Sequence, residues 1–283
     1  LKNMKSNNLN IYCITQKYFS FLRKINLKII VGGAYLKKIK YPKNWLLDDK
    51  LINISKKNLN FGTLTSIYWI WKNELKNYKN DQWIGICHYR RFWLKENHEK
   101  RVNFNNLKNN LLKNIPIKYS KYEAFVALPQ NLKGYKFSKI LKKGGKNLIK
   151  RPSILFDKKL HTINLHFDMF HIYNGLKNAA SCLKKNERQS FIKYVNTETE
   201  YYPFSIFILK KSKFNILCKE TFKWIFKCEK LFKKESLSGY GKIRIFDFLA
   251  ERYFSYWIKK NTKIKTLPVI YLDLKNKRKN KII

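Results

Sequence analysis

Arginine is scarce in this sequence although positive charge is abundant. Only nine of the 61 basic residues are arginine, and 18 acidic residues leave a formal net charge of +43 at pH 7. No apolar run reaches the roughly 18 residues that a membrane-spanning helix needs. The amino terminus also lacks the apolar core of a signal peptide. We therefore expect a cytoplasmic protein.

Paired cysteines and the common nucleotide or metal motifs are also missing. The five cysteines are odd in number and form no Cys-x-x-Cys pair, which is typical of a reduced, intracellular chain. The sequence contains no Gly-x-Gly-x-x-Gly, phosphate-loop or Gly-x-Ser-x-Gly motif. It has no Asp-x-Asp pair for a metal–diphosphate clamp. The sequence therefore identifies no cofactor, and binding of a divalent Mn²⁺ or Mg²⁺ ion is an open alternative.

The charge favours two kinds of partner. Dense lysine and arginine bind the phosphates of nucleic acids and of anionic lipid headgroups. The lysines are spread along the whole chain beside many Asn and Ile residues, and no zinc finger or RNA-binding aromatic signature accompanies them. We therefore expect no specific nucleic-acid partner, and attraction to the anionic inner surface of a membrane. A non-catalytic basic protein that binds nucleic acid or membrane stays open as an alternative.

Apolar runs of strand length alternate with amphipathic helical segments. Strands are predicted at 9–15, 27–31, 82–87, 124–128, 204–209 and 267–272, and helices at 63–77, 214–232 and 243–258. Residues 46–60 are predicted to be a polar loop, and the Lys- and Gly-rich residues 131–160 a mobile one. The alternation predicts an α/β domain with a mainly parallel twisted sheet flanked by helices. That domain is predicted to cover residues 9–272, before a basic tail at 273–283.

His88-Tyr89-Arg90-Arg91 is the first candidate site. It directly follows the apolar segment Trp83–Cys87, at the carboxyl end of a predicted strand, where open α/β sheets bind ligands. Guanidinium offers a planar fork of donors that matches phosphate or carboxylate oxygens, whereas ammonium is a flexible point charge. Two adjacent arginines in a lysine-rich chain therefore indicate an anion site, and a solvated charge pair is the alternative.

The predicted helix 243–258 carries the second set of candidates. Arg244, Asp247 and Glu251 are spaced as one polar stripe, and Arg252 is the neighbour of Glu251. The other residues of this helix are mostly apolar and aromatic, so the stripe is expected to be buried, and buried charges are costly unless paired. Two interpretations are open: an internal Arg–Glu ion pair, or a carboxylate base with an arginine that anchors a ligand's phosphate.

Three smaller groups of residues complete the candidates. Gly32-Gly33 ends the second predicted strand, where the backbone must turn or approach a neighbour closely. Asp48-Asp49, with Asn53 nearby, lies in a polar loop and is either solvated or able to bind a cation or sugar hydroxyls. His166 and His171 lack acidic or Cys partners at metal-ligand spacing, so zinc is not expected there.

The order of these segments resembles a bacterial domain-of-unknown-function family, encoded in capsular and exopolysaccharide clusters and regarded as glycosyltransferases. The matching segments are Val31-Gly-Gly-Ala, Asp48-Asp49 with Asn53-Ile-Ser-x-x-Asn, Leu64-Thr-x-x-Tyr-Trp-Ile-Trp-Lys-Asn, Gly85-x-Cys-His-Tyr-Arg-Arg-Phe, Phe207-Ile-x-Lys-Lys-x-x-Phe, Trp224-Ile-Phe and Arg244-x-Phe-x-Phe-Leu-x-Glu-Arg. They span roughly residues 10–272. The chain departs from the family pattern at Thr63 (Glu in the family), Ser205 (Asn) and Asp247 (Gly).

The resemblance implies a GT-A-like single domain that transfers sugar from a nucleotide-sugar donor, a UDP-hexose or UDP-galactofuranose, to a lipid-linked or growing surface-polysaccharide glycan. It implies that residues 81–91 take the place of the Asp-x-Asp of metal-dependent relatives. A peripheral position at the inner face of the membrane suits such an acceptor.

Site residues follow from this hypothesis. Glu251 is the first candidate for the general base or for a contact to the acceptor hydroxyl, and Asp49 is the second. The predicted donor-binding residues are Gly32, Gly33, Asp48, Asn53, His88, Tyr89, Arg90, Arg91, Arg244 and Arg252. His88, Arg90, Arg91, Asp49 and Glu251 are predicted to converge on one cleft near Gly32-Gly33.

Overall fold

The computed structural model describes residues 9–37, 39–134, 136–235, 237–275 and 280–283. Its strands are β1 (Leu9–Thr15), β2 (Lys28–Val31), β3 (Leu46–Leu47), β4 (Trp83–His88), β5 (Arg91–Trp93), β6 (Ala124–Val126), β7 (Gln130–Asn131), β8 (Glu200–Tyr201), β9 (Phe207–Lys210), β10 (Ile264–Thr266), β11 (Val269–Tyr271) and β12 (Lys281–Ile282). Its α-helices are α1 (Asn58–Phe61), α2 (Leu64–Trp69), α3 (Leu107–Asn110), α4 (Phe137–Lys150), α5 (Ile163–Phe170), α6 (Gly175–Ala180), α7 (Lys185–Thr197), α8 (Lys211–Leu231), α9 (Tyr240–Ile243) and α10 (Ile245–Asn261).

The main sheet runs in the order β10-β6-β9-β4-β1-β2-β3. β9 is antiparallel to both of its neighbours, and the other pairings along this path are parallel. β1 and β4 are direct neighbours, with Ile14 opposite His88. The predicted α/β fold with a mainly parallel sheet is therefore confirmed.

A second group of strands extends the sheet from the end of β4. β5 folds back against β4 and pairs with β11, which in turn pairs with β12. Residues 281–282 of the predicted tail thus form a strand, and its residues 276–279 lie outside the described residues.

Two hydrophobic cores lie on opposite faces of the sheet, because successive side chains of a strand point to opposite sides. On β1, Tyr12 and Ile14 belong to the core formed with α2, α8 and α10, whereas Ile11 and Cys13 belong to the other core. None of the described helices is long and apolar enough to cross a membrane.

The aromatic helix predicted at 63–77 begins as α2 and continues with a wider π-helical turn at Ile70–Glu74 and a 3-10 turn at Leu75–Asn77. Its aromatic side chains pack against α8. The Trp71 ring stacks on Phe222 with centroids 5.7 Å apart, and Tyr68 meets the same ring edge-on at 4.9 Å. These aromatic residues therefore pack on a neighbouring helix.

The prediction of a mobile loop at 131–160 is wrong, because this segment contains α4 and two short 3-10 helices, Pro152–Leu155 and Lys158–Leu160. Ile140 and Gly144 are buried, and Ile140 packs with Ile154 and Leu165 in a small core of its own. Gly145 bends the helix with a φ of +44°, a conformation that glycine adopts readily. The two glycines thus shape the helix without ending it. The polar loop predicted at 46–60 likewise contains β3 and α1.

Candidate functional site

A cavity of about 610 Å³ opens at the carboxyl ends of β1 and β4. The chain leaves β1 for β2 on one side and returns to β4 on the other, which leaves a crevice between the two strand ends. Ile14 and Gln16 line the cavity after β1, and His88 to Arg91 line it after β4. Helices α5 and α10 supply the facing residues, among them His166 and Glu251.

A two-residue hairpin turn places both arginines in the cavity. His88 pairs with Arg91 across β4 and β5, so Tyr89 and Arg90 form the turn between them. The Tyr89 N–H donates to the Ile14 carbonyl at 3.1 Å, and its ring stacks on Phe19 with centroids 4.9 Å apart. The turn is thus anchored to the end of β1.

Arg90 and Arg91 have no carboxylate partner within the described part of the chain. The Nε atom of each is buried without a hydrogen-bond partner there. Aromatic rings hold the guanidinium groups instead: Arg91 lies 3.7 Å from the Phe204 ring centroid, and Arg90 lies 5.7 Å from that of Tyr271. Burial lowers the pKa of Arg91, and the neighbouring Arg90 lowers it further. This uncompensated positive charge favours a bound anion.

His88 is uncharged at neutral pH. Burial lowers the pKa of its imidazole to about 3, and the charge of Arg91 contributes to this shift. Its Nε2 donates to the Phe204 carbonyl at 2.7 Å, because a carbonyl oxygen can only accept. His88 therefore positions the backbone of Phe204, and the positive charge at this end of the cavity comes from the arginines.

The polar stripe of α10 forms two ion pairs at the wall of the cavity. Arg244 pairs with Asp247, and Arg252 pairs with Glu251. Glu251 also accepts a hydrogen bond from the Phe204 N–H. Burial raises the pKa of the Glu251 carboxyl group, although Arg252 and the Phe204 N–H oppose this change. The residues of the stripe thus form internal ion pairs and also line the cavity, so the two interpretations given from the sequence do not exclude each other.

Two histidines of the cavity were not among the predicted site residues. His166 accepts a hydrogen bond at Nδ1 from Arg252 at 3.1 Å, and His171 donates from Nδ1 to the Gly241 carbonyl at 2.8 Å. Burial lowers the pKa of His166 to about 2 and that of His171 to about 3, and the charge of Arg252 acts in the same direction. Among the described residues, no group of three or more His, Cys, Asp or Glu side chains is placed to hold a metal ion.

The turn before β9 also contributes residues that sequence reasoning missed. Phe204 and Ser205 both line the cavity, and both have a positive φ, +71° and +53°. Two consecutive non-glycine residues in the left-handed region are uncommon and cost conformational energy, which is a feature of functional sites. The aromatic, proline-containing segment 201–205 is the only sequence signal for this turn.

The paired acids lie outside the cavity, so the predicted convergence of Asp49 with the arginines and Glu251 is wrong. Asp48 is fully buried, and its carboxylate accepts from the N–H groups of Gly33 and Ala34 and from the hydroxyls of Ser55 and Thr65. Each carboxylate oxygen of Asp48 therefore accepts two hydrogen bonds from within the protein. Asp49 is half-buried nearby and is not a cavity residue.

Gly32, Gly33 and Asn53 also lie outside the cavity lining. Gly33 has a φ of +67°, and a Cβ atom there would lie 2.5 Å from the side chain of Asn58. The glycine is thus required by close packing within the protein. Asn53 donates to the Asp49 and Leu51 carbonyls and thereby holds its own loop. Seven of the predicted residues do line the cavity: His88, Tyr89, Arg90, Arg91, Arg244, Glu251 and Arg252.

Two departures from the family pattern contact each other. Thr63 donates to Asp247 from its hydroxyl at 2.6 Å and from its N–H at 3.2 Å. Asp247 also forms an ion pair with Arg244, so Thr63 is joined to the polar stripe of α10.

These features define an α/β protein with an arginine-lined cavity at the point where the strand order reverses. The chain belongs to the family described as Domain of unknown function (DUF4422), whose model matches residues 10–262. Among solved structures it is similar to an apo structure of the WbbM bifunctional glycosyltransferase, with 20% sequence identity and a TM-score of 0.64. The match covers 94% of this chain and 45% of that one, so the likeness shows a shared fold over less than half of the larger protein. A search of curated proteins found no match.

Proposed function

We propose that this protein is a glycosyltransferase that moves a sugar from a nucleotide-sugar donor to a glycan of a bacterial surface polysaccharide. The observation that carries the proposal is the pair Arg90 and Arg91 in a cavity at the carboxyl ends of parallel strands. Neither arginine has a carboxylate partner among the residues that the structure describes. The fold that it shares with a bifunctional glycosyltransferase and the family membership support the proposal.

The two arginines are proposed to bind the diphosphate of the donor. When the sugar leaves, negative charge develops on the diphosphate, and positioned cations lower the energy of that step. The guanidinium forks can each donate to two phosphate oxygens. Because aromatic rings hold these groups in place before the ligand binds, little reorganisation is needed.

Glu251 is proposed as the general base that takes the proton of the acceptor hydroxyl. It lines the cavity, and its charge is near enough to act on Arg91. A base works best when its pKa approaches the working pH, and burial moves the pKa of Glu251 upward in that direction. Asp49, the second candidate from the sequence, lies outside the cavity and is not assigned this role.

The acidic residues of the cavity do not fit a metal–diphosphate clamp. Asp247 and Glu251 are each engaged by an arginine, and their oxygens also accept hydrogen bonds from Thr63 and Phe204. A bound divalent cation would have to displace these contacts. We therefore assign the neutralisation of the diphosphate to Arg90 and Arg91.

The donor is proposed to be a UDP-hexose or UDP-galactofuranose, and the acceptor a lipid-linked or growing glycan chain. The cavity volume, about 610 Å³, lies in the range of small-molecule sites, which is roughly 300–1,000 Å³. We also propose that the protein works in the cytoplasm at the inner face of the membrane, where such acceptors are assembled.

A thermal-shift screen against nucleoside diphosphates and nucleotide sugars tests this function. A ligand at about 100 times its dissociation constant adds roughly 2.7 kcal/mol of stability. The best ligand is then used to measure nucleoside diphosphate release with a soluble acceptor. The competing function, non-catalytic binding of nucleic acid or membrane, predicts no specific shift and an affinity that follows total charge and falls steeply with salt.

A further inference from the structure

A basic, partly apolar surface lies beside the cavity and outside the residues that line it. It is formed by residues 136–160, which include α4 and carry nine basic residues and one acidic residue, Asp157. Four large apolar side chains of this segment are exposed: Phe137 and Leu141 at 48% each, Phe156 at 78% and Ile149 at 82%. We call Phe137, Leu141, Phe156 and the lysines of residues 136–150 the α4 surface.

The exposed apolar side chains are not needed for the core of this region. Ile140 is buried with Ile154 on the inner side of α4, so the helix is already attached to the protein there. Phe137 and Leu141 are one helical turn apart, and the Phe137 ring is 6.0 Å from that of Phe156. Single exposed apolar residues are common, but neighbouring ones surrounded by lysines indicate an interaction surface.

We propose that the α4 surface binds the surface of an anionic lipid bilayer. Helices that lie in the membrane interface combine Lys-rich polar sides with Phe and Leu on another side. Lysine stems can reach headgroup phosphates while the apolar side chains enter the boundary of the acyl layer. Charge complementarity supports this partner, because a lipid surface offers anionic groups throughout and requires no directional pairing with the nine basic residues.

The α4 surface lies close to the cavity, so its binding to a bilayer would place the cavity near the membrane. α4 packs on α5, which supplies His166 and Phe170 to the cavity lining. The Lys139 ammonium lies 4.8 Å from the centroid of the Phe170 ring. Docking through α4 would therefore hold the cavity close to the bilayer, where a lipid-linked acceptor is presented. The binding itself does not rest on the proposed function, because it requires no donor or transfer step.

Cosedimentation of the full chain with vesicles tests the proposal. The vesicles contain phosphatidylcholine alone or with about one third phosphatidylglycerol. The variant Phe137→Ser/Leu141→Ser/Phe156→Ser should bind the anionic vesicles about tenfold more weakly or worse. The matched control Leu59→Ser/Ile216→Ser/Leu231→Ser changes three similarly exposed side chains elsewhere and should bind within twofold of the unmodified chain.

A second pair of variants separates location from total charge. Lys142→Gln/Lys143→Gln on α4 and Lys219→Gln/Lys223→Gln on α8 remove the same charge from exposed helix positions. The α4 pair should weaken vesicle binding several-fold more than the α8 pair. This comparison also stands if the triple α4 variant fails to fold.

Three results would overturn the proposal. They are equal loss of binding in the two lysine variants, undiminished binding of the folded triple α4 variant, and tighter binding of single-stranded nucleic acid than of vesicles through the same α4 residues. The nucleotide-induced thermal shift is measured in parallel. Vesicle binding without any such shift would contradict the proposed function and leave the α4 surface standing.

Discussion

His88 donates from Nε2 to the main-chain carbonyl of Phe204 at 2.7 Å, although 116 residues separate the two in the chain. Phe204 makes two further contacts at the cavity: its N–H donates to Glu251, and its ring lies 3.7 Å from the guanidinium carbon of Arg91. Phe204 thus contacts His88, the proposed base Glu251 and Arg91, which is proposed to bind the diphosphate. The conformation of the Phe204-Ser205 turn therefore sets the geometry of the whole site.

Substitutions at Ser205 should show how much this turn matters. Its φ of +53° suits glycine, whereas a β-branched residue is strained there. Ser205→Gly should change the free energy of unfolding by less than about 1 kcal/mol and keep sugar transfer near the normal rate. Ser205→Val should cost about 2 kcal/mol and lower transfer several-fold. Urea unfolding and nucleoside diphosphate release measure both, and equal behaviour of the two variants would contradict the role of the turn.

Arg91→Lys separates geometry from charge at the proposed diphosphate site. The substitution keeps the net charge of +43 but removes the fork that can hold two phosphate oxygens. Loss of about 1.5 kcal/mol or more of charge-assisted contact should lower transfer on the order of tenfold or more. Nucleoside diphosphate release at two salt concentrations is the measurement.

Arg23→Lys is the matched control, because Arg23 is exposed and lies outside the cavity. It should transfer sugar at the normal rate. If Arg91→Lys were equally active, the arginine pair would not be the diphosphate site.

The positions of two central strands and of the arginine cluster could be predicted because local patterns determine them. The strands predicted at 9–15 and 82–87 correspond to Leu9–Thr15 and Trp83–His88, since a buried parallel strand requires a continuous apolar run. The same run shows where the strand ends, and so where Arg90 and Arg91 lie. A site at the end of a strand can thus be located from sequence.

The rest of the site could not be predicted, because long-range packing forms it. The helix spacing of Ile140, Gly144 and Leu148 was concealed by the lysines and paired glycines around it. His171 is held at the cavity by contacts that no local pattern reveals, among them its hydrogen bond to the carbonyl of Gly241, 70 residues away. Asp48 lies in a polar, acidic segment that is typical of a ligand site, yet four donors inside the fold bind its carboxylate. No local sequence pattern distinguishes an aspartate that binds a ligand from one that binds the protein's own backbone and hydroxyl groups.

Asp48→Asn and Asp49→Asn should therefore differ in stability. At position 48 the amide would direct N–H groups at existing donors in a buried site, and the expected loss of unfolding free energy is about 3 kcal/mol. Asp49→Asn should change the unfolding free energy by less than about 1 kcal/mol and leave transfer nearly unchanged. Chemical denaturation and nucleoside diphosphate release check both. A large loss of transfer in a stable Asp49→Asn variant would return Asp49 to the active site.

The three cavity histidines should make the protein less stable as pH falls. Their pKa values are about 3 for His88 and His171 and about 2 for His166, against 6.5 in an unfolded chain. Between pH 6.5 and pH 3 these histidines are protonated in the unfolded state and neutral in the folded state. The free energy of unfolding is therefore highest above pH 6.5 and decreases as pH falls towards 3. Each histidine contributes about 1.4 kcal/mol per pH unit in this window.

Unfolding in urea at pH 7, 6 and 5 measures this dependence. His171→Gln should reduce the slope of unfolding free energy against pH by the share of one histidine. The same change at the partly exposed His98, outside the cavity, serves as the control. A slope that does not change in His171→Gln would contradict the lowered pKa.

Glu251→Gln should remove most of the transfer activity and leave donor binding intact. If Glu251 is the base, its loss lowers kcat about 100-fold or more. The arginines remain, so the thermal shift with nucleoside diphosphate should persist.

The unmodified protein should lose activity as pH falls through a value above 4.5, because burial raises the pKa of the Glu251 carboxyl group and only the ionised form accepts the proton. Glu229→Gln, at an ion pair with Lys57 outside the cavity, should transfer normally. Transfer at the normal rate by Glu251→Gln would assign the base to another residue.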